Sequence, residues 1–477
     1  MSLFPLPKFL RRQGGLARLT SELDPPHTAP GDNISAFLQA RTVADHDTLM
    51  DISSHGARNL ANLAAERLPM ALDETPLTVN GYDKVFASHW VDDHHIVIGT
   101  KCNKLLLLST RSNRVIDLPY ASLFPPPLCA RPSPVLRTDS AVSVEGGSSG
   151  ALPLPPLPPN GSRATSSLAC LGIHSIAVNP SRTRMAVGGA KPYEVVVYAL
   201  PEMVPVALMT GHADLVFALK FVSDDVIVTG SRDTAVGIFN LSAEPIDTIA
   251  TSYGILPVIA ATSMRREHTA KVRDLQYQSG DGVLATLGGD ATVRLWDVNQ
   301  MRVVSKMRLA FPTENVCMGS DPVRGVLSVG SQSHVSLLDA RAPVRTGRYG
   351  GDFSTSGYPE RVPPASRALH HFTSVDEGWG VRSLAHNRHV IAVGGGMGRL
   401  SFYDTRGMAY LPVGAGGDQR YMDVGQLQTG EDAPVRGSSS ASCMALYALS
   451  YNDDYTQLFT GGGPLQLGMR GAYCAVW

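Results

Sequence analysis

The sequence predicts an all-β fold made of repeated four-strand units. The clearest unit, Gly211 to Leu241, contains three apolar runs separated by turn residues, as short paired strands require. A second unit begins at Val272, repeats this scheme and carries Trp296-Asp297 after its third run. A Gly-His pair before the first strand and a Trp-Asp pair after the third strand are typical of the WD repeat. We therefore predict a WD-repeat β-propeller.

Five weaker copies of the same unit bring the number of predicted blades to seven. They begin near Lys84, Gly172, Glu314, Gly380 and Ser442. The last copy ends after its third strand, so a closed ring needs a fourth strand from elsewhere in the chain. The segment "TPLTV", Thr75 to Val79, stands just before the first copy and is the candidate. Closure of this kind leaves few exposed strand edges.

Composition narrows the class of protein. The chain has 477 residues, of which 43% are hydrophobic and 17% charged, and this is enough apolar material for a large folded core. The formal net charge of −1 gives no whole-molecule attraction to nucleic acid or membranes, so any electrostatic function must be local. Six scattered cysteines without a CxxC pair indicate reduced thiols. No apolar run approaches the roughly 20 residues that a membrane helix needs.

The chain divides into segments of different composition. We predict a disordered tail at residues 1–31, a helix-loop-helix segment at 32–70 and the propeller at 71–477, with a low-complexity insertion at 119–170 and long loops at 346–378 and 414–441. The insertion is rich in Pro, Gly and Ser, and its "PLPPLPP" fits either a ligand of a proline-binding domain or solvated chain.

The segment before the propeller changes from strand to helical periodicity. The positions that carry this signal are Ile34, Phe37, Leu38 and Arg41 in an earlier helix, and Leu60, Leu63, Ala64 and Leu68 in a later one. Such a helix pair either packs against the propeller or presents its apolar face to a partner protein. The spacing alone favours neither alternative.

Motifs of the common enzyme classes are absent from the sequence. There is no Walker loop, HExxH, GxSxG or kinase motif set, and Gly394–Gly398 stand between two predicted strands, as a turn does. The pairs His94-His95 and His370-His371 lack partners at metal-ligand spacing. His212 and Asp233 are predicted to form a structural hydrogen bond within a blade. We therefore predict no catalytic residue, no metal site and no cofactor.

Basic residues collect on one predicted face of the propeller. The entries to the first strands and the turns between second and third strands share this face, which we call the rim face, around the central channel. The basic residues at these positions are Lys84, Lys101, Lys191, Arg232, Lys271, Arg273 and Arg382. Each one alone is explained by the abundance of Lys and Arg in propeller turns. Their convergence from several blades predicts a cationic rim that binds an anionic ligand.

Several stretches resemble a known family. They include "DKVFASHWVDDHHIVIGTKCNKLLLL", "GIHSIAVNPSRTRMAVGG", "HVSLLDAR" and the ending "FTGGGPLQLGMRGAYCAVW". These are similar to the substrate receptors of cullin-4 RING ubiquitin ligases, in particular to the DDB- and cullin-4-associated factor 12 family. The resemblance covers the helix pair and all blades. It fails in the Pro-rich insertion and in the N-terminal tail, which lacks the long basic leader associated with that family.

The resemblance implies a non-catalytic receptor that holds acidic, twin-glutamate C-termini in a basic central pocket. The matching pocket positions are Lys84, Lys101, Arg232, Lys271, Arg273 and Arg382, with Arg406 of "YDTR" as a further member. Lys191 has no counterpart. The resemblance also implies that the helix pair, through Ile34, Phe37, Leu38, Arg41, Leu60 and Leu63, binds the cullin-4 adaptor, damage-specific DNA-binding protein 1. Through this adaptor it would join the cullin-4 RING ligase core, in the cytoplasm and nucleus.

Two rival functions stay open on the residues alone. The first is a scaffold whose rim binds phosphopeptide, phosphoinositide or nucleic acid, although the rim has few interleaved aromatic residues and the chain has no basic excess, which argues against nucleic acid. The second is a propeller hydrolase or lyase, which needs a general acid or base where the rim offers chiefly permanent cations. We expect no direct binding to nucleic acid or membranes.

Overall fold

Seven sheets surround a central channel in a computed structural model of the chain. The structure describes residue 62 and residues 64–120, 172–189, 194–280, 282–321, 325–340, 368–376, 378–414, 419–424, 444–466 and 469–477. Each sheet is one blade, and the prediction of a seven-bladed propeller is confirmed. In the described part of the chain, no helix has the length and apolar character that crossing a membrane requires.

The first three blades follow a short initial strand, β1 (Thr75–Pro76). Blade one contains β2 (Val85–Trp90), β3 (His95–Thr100), β4 (Leu105–Ser109) and β5 (Val115–Leu118). Blade two contains β6 (Ile173–Val178), β7 (Arg184–Gly189), β8 (Val195–Ala199) and β9 (Val204–Thr210). Blade three begins with β10 (Val216–Phe221), β11 (Val226–Ser231) and β12 (Val236–Asn240). A hairpin, β13 (Asp247–Thr251) and β14 (Gly254–Ala260), then precedes its fourth strand, β15 (Ser263–Arg265).

The remaining four blades complete the ring. Blade four contains β16 (Val272–Gln278), β17 (Val283–Gly288), β18 (Thr292–Asp297) and β19 (Arg302–Arg308). Blade five contains β20 (Met318–Asp321), β21 (Val326–Gly330), β22 (His334–Asp339) and β23 (Ala368–Thr373). Blade six contains β24 (Val381–Asn387), β25 (Val390–Gly395), β26 (Arg399–Asp404), β27 (Ala409–Tyr410) and β28 (Met422–Asp423). Blade seven contains β29 (Met444–Tyr451), β30 (Leu458–Pro464), β31 (Tyr473–Val476) and β1.

The N-terminal strand closes the ring, as the sequence predicts. β1 is antiparallel to β31, with Thr75 opposite Val476, and the Leu77 backbone N–H donates to the Cys474 carbonyl at 2.8 Å. The side chains of Leu77 and Val79 are buried in the hydrophobic core between blades seven and one, which also contains Cys474 and Val476. Because β1 and the last strand, β31, share one sheet, neither blade seven nor the ring is complete without β1.

Two predicted loops contain strands. β23 lies inside the predicted loop 346–378 and forms the outer strand of blade five, and β28 lies inside the predicted loop 414–441 and pairs with β26. These parts of the loop predictions were wrong. Outer strands have little of their surface buried, so their sequences lack the apolar run that marks an inner strand: only one residue of β23 is fully buried.

The hairpin β13–β14 joins a blade other than the one whose strands flank it. β14 pairs in parallel with β9, the outer strand of blade two, with Val258 opposite Leu208. Blade two therefore has six strands, and β13 forms its outer edge. Our sequence analysis missed this hairpin, although "DTIATSYGILPVIA" contains two β-branched runs about a Tyr-Gly turn.

The hydrophobic core lies between neighbouring blades. For example, Leu105 and Leu107 of blade one pack with Ile173 and Val187 of blade two. Each sheet is covered on both faces, so its inner strands are apolar along their whole length, and all residues of β3 are buried.

Hydrogen bonds within the blades confirm the WD-repeat character. His212 Nδ1 lies 3.1 Å from the Asp233 carboxylate, as predicted for a structural pair. In blade four, the Thr286 hydroxyl lies 2.8 Å from both His268 Nε2 and Trp296 Nε1. One buried hydroxyl thus joins an imidazole to the Trp of the Trp-Asp motif.

One helical segment, residues 64–71, is described before β1. Ala65 packs into the core of blades six and seven, and the Glu66 carboxylate contacts His389 Nε2 at 2.9 Å. This end of the predicted helix pair is therefore attached to the propeller. The predicted adaptor-binding residues, which lie outside the described residues, stay a prediction: Ile34, Phe37, Leu38, Arg41, Leu60 and Leu63.

Candidate binding site at the channel mouth

The first strands of the seven blades enclose the central channel. Its cavity has a volume of about 400 Å³ and is lined from every blade by residues of these strands or directly beside them. Because each first strand starts at the rim face, residues early in these strands lie near the mouth of the channel.

Six of the first strands carry a β-bulge close to the rim face. In each, the pairing with the second strand skips one residue, and the skipped residues are Phe86, His174, Phe217, Arg273, Arg382 and Tyr447. A bulge leaves its residue outside the ladder and re-aims its side chain. All six residues line the channel, together with Val316 of blade five.

Aromatic bulge residues form one side of the channel. Tyr447, Phe86, His174 and Phe217 follow one another in blades seven, one, two and three. The rings of Phe86 and His174 are stacked with centroids 4.5 Å apart, whereas Tyr447 meets Phe86 and Phe217 meets His174 edge to face, at 5.2 and 5.0 Å. These contacts make a continuous aromatic wall.

Arginine bulge residues form the other side of the channel. The guanidinium carbon of Arg273 lies 5.1 Å from the Phe217 ring centroid, at the end of the aromatic wall. Arg382 Nη2 donates to the Glu314 carboxylate at 2.8 Å and to the Trp379 carbonyl at 2.9 Å. The channel mouth is therefore two-sided, with an apolar wall facing two guanidinium groups.

Four of the predicted cations influence one another. Burial lowers the pKa of Arg273 most, and the positive charges of Arg382 and Arg232 lower it further. Burial likewise lowers the pKa of Lys271, with contributions from Arg273 and Arg232. Lys271 and Arg273 make no ion pair with any residue that the structure describes. The charge of Glu314 raises the pKa of Arg273 and so offsets this positive field only in part. The remaining positive field favours an anionic ligand at this position.

Lys84 and Lys101 lie together at the rim end of blade one, where the Lys101 backbone N–H donates to the Lys84 carbonyl at 2.8 Å. The Lys84 side chain is only 2% exposed, and its ammonium donates to the Pro464 carbonyl and, at 2.7 Å, to the Gln466 carbonyl. Burial and then Lys101 lower its pKa, which Asp83 opposes. Lys101 is 3.3 Å from the Asp83 carboxylate.

Arg232 completes the set on the rim face. It stands in the turn between β11 and β12, and its Nε lies 3.6 Å from the Asp214 carboxylate. Its side chain is 48% exposed, so this pair is open to solvent and to ligands. Six of the seven predicted pocket residues thus lie on one face. Lys191, the other cation expected there, is outside the described residues.

Arg406 does not lie with the other predicted pocket residues. β26 runs away from the rim face, so Arg406, just after its last residue, lies at the opposite end of blade six from Arg382. Its guanidinium contacts the Glu66 carboxylate and lies 2.8 Å from His389 Nε2. We therefore correct the assignment of Arg406 to the pocket: it holds the N-terminal helix on the propeller.

Glu66, His389 and Asp404 bring three potential metal-ligating atoms close together. The Arg406 guanidinium already contacts the Glu66 carboxylate at this cluster, and its Nε lies 4.0 Å from the Asp404 carboxylate. A permanent cation beside the ligand atoms opposes a metal ion, so these residues form an ion-pair network.

One acidic residue lines the channel beside Arg273. The Asp274 carboxylate accepts hydrogen bonds of 2.7 Å from the backbone N–H groups of Met318 and Leu275. Burial raises its pKa to about 6, which these hydrogen bonds and the charge of Lys220 oppose. Its charge therefore changes close to neutral pH.

The aromatic wall was missed by our sequence analysis because the blades were compared only for basic residues. The signal was present: each bulge residue follows an apolar residue at the entry of its first strand, as in Val85-Phe86, Ile173-His174 and Val216-Phe217. The bulges themselves have no comparable signature in the sequence.

Comparison with known families decides the classification. A sequence profile of the DDB1- and CUL4-associated factor 12 β-propeller matches residues 68–127 and 138–348, which is more than half of the chain. The chain belongs to this family. The match runs from the end of the N-terminal helix to the third strand of blade five and so includes five of the six rim-face cations.

More distant relatives support the fold alone. A stretch of 119 residues, 24% of this chain, is 34% identical to Mitochondrial division protein 1 of Schizosaccharomyces pombe and spans 18% of that protein. The solved structure of U3-55K has a TM-score of 0.52 at 14% identity, covering 86% of this chain and 99% of that one. The crystal structure of the RRP9 WD40 repeats has a TM-score of 0.52 at 15% identity, and the match covers 86% of this chain and 98% of that one. The family to which the chain belongs takes its name from association with DDB1 and CUL4.

Proposed function

We propose that this protein is the substrate receptor of a cullin-4 RING ubiquitin ligase and that its channel mouth binds the acidic C-terminal end of target proteins. In this role the chain recognises the target and performs no ubiquitin transfer itself. Family membership supports the receptor class, since the family name couples the propeller to DDB1 and CUL4. The ligand class is supported by the charges at the channel mouth.

The observation that carries the ligand proposal is the pair Lys271 and Arg273. Three of the six rim-face cations are offset by carboxylates of the protein, through the pairs Lys101–Asp83, Arg232–Asp214 and Arg382–Glu314. Lys84 is held by backbone carbonyls. Lys271 and Arg273 are left, partly buried and without an ion pair in the described part of the protein, although the charge of Glu314 offsets that of Arg273 in part. A ligand carboxylate at this position gains charge-assisted hydrogen bonds without displacing an existing ion pair.

A chain that ends in two glutamates fits the two-sided character of the site. It carries about three negative charges at neutral pH, from two side chains and the terminal carboxylate. The arginine forks bind carboxylates bidentately, and the methylene groups of the glutamates can pack on the aromatic wall of Phe86 and Tyr447. Both sides of the channel are then used by one ligand.

The proposal for the ligand is tested with three synthetic peptides of the same composition. One ends in two glutamates with a free carboxylate, the second has an amidated C-terminus, and the third places the two glutamates internally. Fluorescence titration against the full-length chain should show clear binding of the first peptide and at least tenfold weaker binding of the other two. Equal affinity for all three would mean that the rim is a general polyanion site, as on a scaffold.

The proposal for the ligase partner concerns the N-terminal segment. We propose that Ile34, Phe37, Leu38, Arg41, Leu60 and Leu63 bind DDB1 and that the assembled ligase works in the cytoplasm and nucleus. Removing residues 32–61 leaves the helical segment 64–71, which Glu66 and Ala65 attach to the propeller. This deletion should abolish co-purification of DDB1 and cullin-4 while leaving peptide binding intact. Retained DDB1 binding would move the adaptor site onto the propeller.

A further inference from the structure

A second group of basic side chains lies away from the channel, on the outer part of blades three and four. Its members are Arg265, Arg266, Lys306 and Arg308, and all four are exposed. We call this group the outer basic track.

The strand register places the ends of the track on the rim face. Arg265 ends β15 opposite Val236, the first residue of β12, which follows the turn that carries Arg232. Arg308 ends β19 opposite Thr292, the first residue of β18. Both residues therefore stand at the same end of their blades as the channel mouth, but on the outermost strands.

The segment between blades three and four connects the two ends of the track. Arg266 follows β15 on the way to the first strand of blade four, and His268, two residues later, is buried beside β17 and β18. Lys306 stands opposite Arg294 in the strand pairing, and the Asp290 carboxylate lies 3.2 Å from Arg294 Nη2 and 3.1 Å from His268 Nδ1, which places Lys306 close to this segment. The same segment ends at Lys271. Cations thus extend from the channel mouth to the outer edge of the propeller.

The charges of the track are not neutralised within the part of the protein that the structure describes. None of Arg265, Arg266, Lys306 and Arg308 makes an ion pair there. Asp290, the carboxylate within this region, has a side chain that is only 8% exposed and is engaged by His268 and Arg294. Glu267 is the exposed acidic residue that accompanies the four cations. The surface is therefore strongly positive on a protein whose formal net charge is −1.

We propose that the outer basic track binds an acidic segment of the target polypeptide that lies upstream of the chain end held in the channel. This proposal rests on the proposed function, because it needs a chain that enters the channel by its C-terminus. Four strands spaced about 4.8 Å apart place the outer strand roughly 14 Å from the first. An extended chain covers this distance in about four residues. Acidic residues about five to nine positions before the C-terminus would then meet the track.

An acidic polypeptide fits this surface better than a nucleic acid does. Proteins that bind single strands present aromatic side chains on which bases stack. The exposed large hydrophobic side chains of the described residues place no aromatic ring on the track; Trp379, the exposed tryptophan, precedes β24 in blade six. The outer cations are flexible Lys and Arg side chains, which suit a loosely held carboxylate-rich chain.

The proposal is tested by fluorescence titration of the full-length chain with three peptides that all end in two glutamates. One has a Gly/Ser spacer before this end, the second has about four glutamates at the positions that reach the track, and the third has the same glutamates about fifteen residues further upstream. The second peptide should bind roughly three- to tenfold more tightly than the other two at low salt. Added salt should remove most of this gain.

Matched variants assign the gain to the track. Arg266→Ser combined with Lys306→Ser should reduce the affinity of the second peptide to that of the spacer peptide and leave the spacer peptide unchanged. Arg111→Ser combined with Arg302→Ser changes the net charge equally, but these exposed residues lie at the ends of their strands remote from the rim face. This control pair should leave all three affinities unchanged.

Three results would overturn the proposal. The first is equal affinity of the spacer peptide and the peptide with nearby glutamates. The second is an equal loss in both double variants, which would show that net charge acts rather than a site. Tighter binding of a single-stranded oligonucleotide of similar charge through Arg266 and Lys306 would likewise replace the acidic peptide as ligand. Failure of the proposed function is separate: it appears as insensitivity of the spacer peptide to C-terminal amidation.

Discussion

The guanidinium carbon of Arg273 lies 5.1 Å from the centroid of the Phe217 ring, and the two residues are the bulge residues of neighbouring blades. This contact joins the aromatic side of the channel to its cationic side. The ring face attracts the cation and restricts its motion, so Arg273 is held in place before any ligand arrives. Phe217 is thus a positioning residue for the proposed carboxylate site.

Replacing Phe217 tests this role. Phe217→Leu keeps an apolar side chain but removes the ring, and a cation–π contact contributes about 0.5–2 kcal/mol. We expect a twin-glutamate peptide to bind roughly two- to tenfold more weakly, measured by fluorescence titration. Phe217→Tyr keeps the ring and should restore the affinity. If the leucine variant binds as tightly as the native protein, the contact does not position Arg273.

Arg273 tests the location of the pocket, and Arg406 provides the matched control. A charge-assisted hydrogen bond contributes about 1.5–3 kcal/mol, so Arg273→Gln should weaken the same peptide by at least tenfold. Arg273→Glu should weaken it further because it adds repulsion. Arg406→Gln should have no effect on the peptide, since Arg406 lies at the other end of blade six and contacts Glu66. Comparable losses in Arg273→Gln and Arg406→Gln would refute the placement of the pocket.

We expect Asp274 to make the proposed binding of acidic peptides pH-dependent. Burial raises the pKa of its carboxyl to about 6. As the pH falls from about 7 to about 5, this group takes up a proton and its negative charge disappears, while the glutamates of the peptide, with pKa near 4.3, stay ionised. The repulsion between Asp274 and the ligand is lost, so affinity should rise as the pH falls.

A variant isolates the contribution of Asp274 to this pH dependence. Asp274→Asn should therefore bind more tightly than the native protein at about pH 7 and show a smaller gain on acidification. Titrations across this pH range, with melting temperatures recorded for both proteins, measure the difference. An unchanged pH profile in the variant would show that Asp274 does not cause the dependence.

Because β1 closes the ring, we expect the thermal stability of the propeller to depend strongly on residues that precede blade one. Leu77 and Val79 are 7% and 6% exposed, and large-to-small changes at buried positions cost about 2–5 kcal/mol for leucine and less for valine. Leu77→Ala with Val79→Ala should lower the melting temperature by several degrees. Thr75→Ala, at an exposed position of β1 just before these residues, should change it little. Equal melting temperatures for both variants would show that the buried residues after β1 do not stabilise the ring.

Much of the architecture was readable from the sequence because it depends on local patterns. Apolar runs and turn residues mark each inner strand, and these strands are buried on both faces, so their number and order could be counted. Antiparallel connection then fixes which turns share a face, and this was sufficient to bring Lys101, Lys271 and Arg382 to one end of the propeller. Because the last blade lacks a fourth strand in its own sequence, the segment at Thr75 could be predicted to complete it.

Other features depend on contacts between residues far apart in the chain, and only the tertiary structure decided them. Lys84 is turned toward the Pro464 and Gln466 carbonyls of blade seven, 380 residues away in the case of Pro464. Arg406 was assigned to the pocket by resemblance, but the direction of β26 places it beside Glu66. The side chain that enters the channel from each blade is selected by a bulge in strand pairing. A bulge is a property of two strands together, so the sequence of one strand does not reveal it.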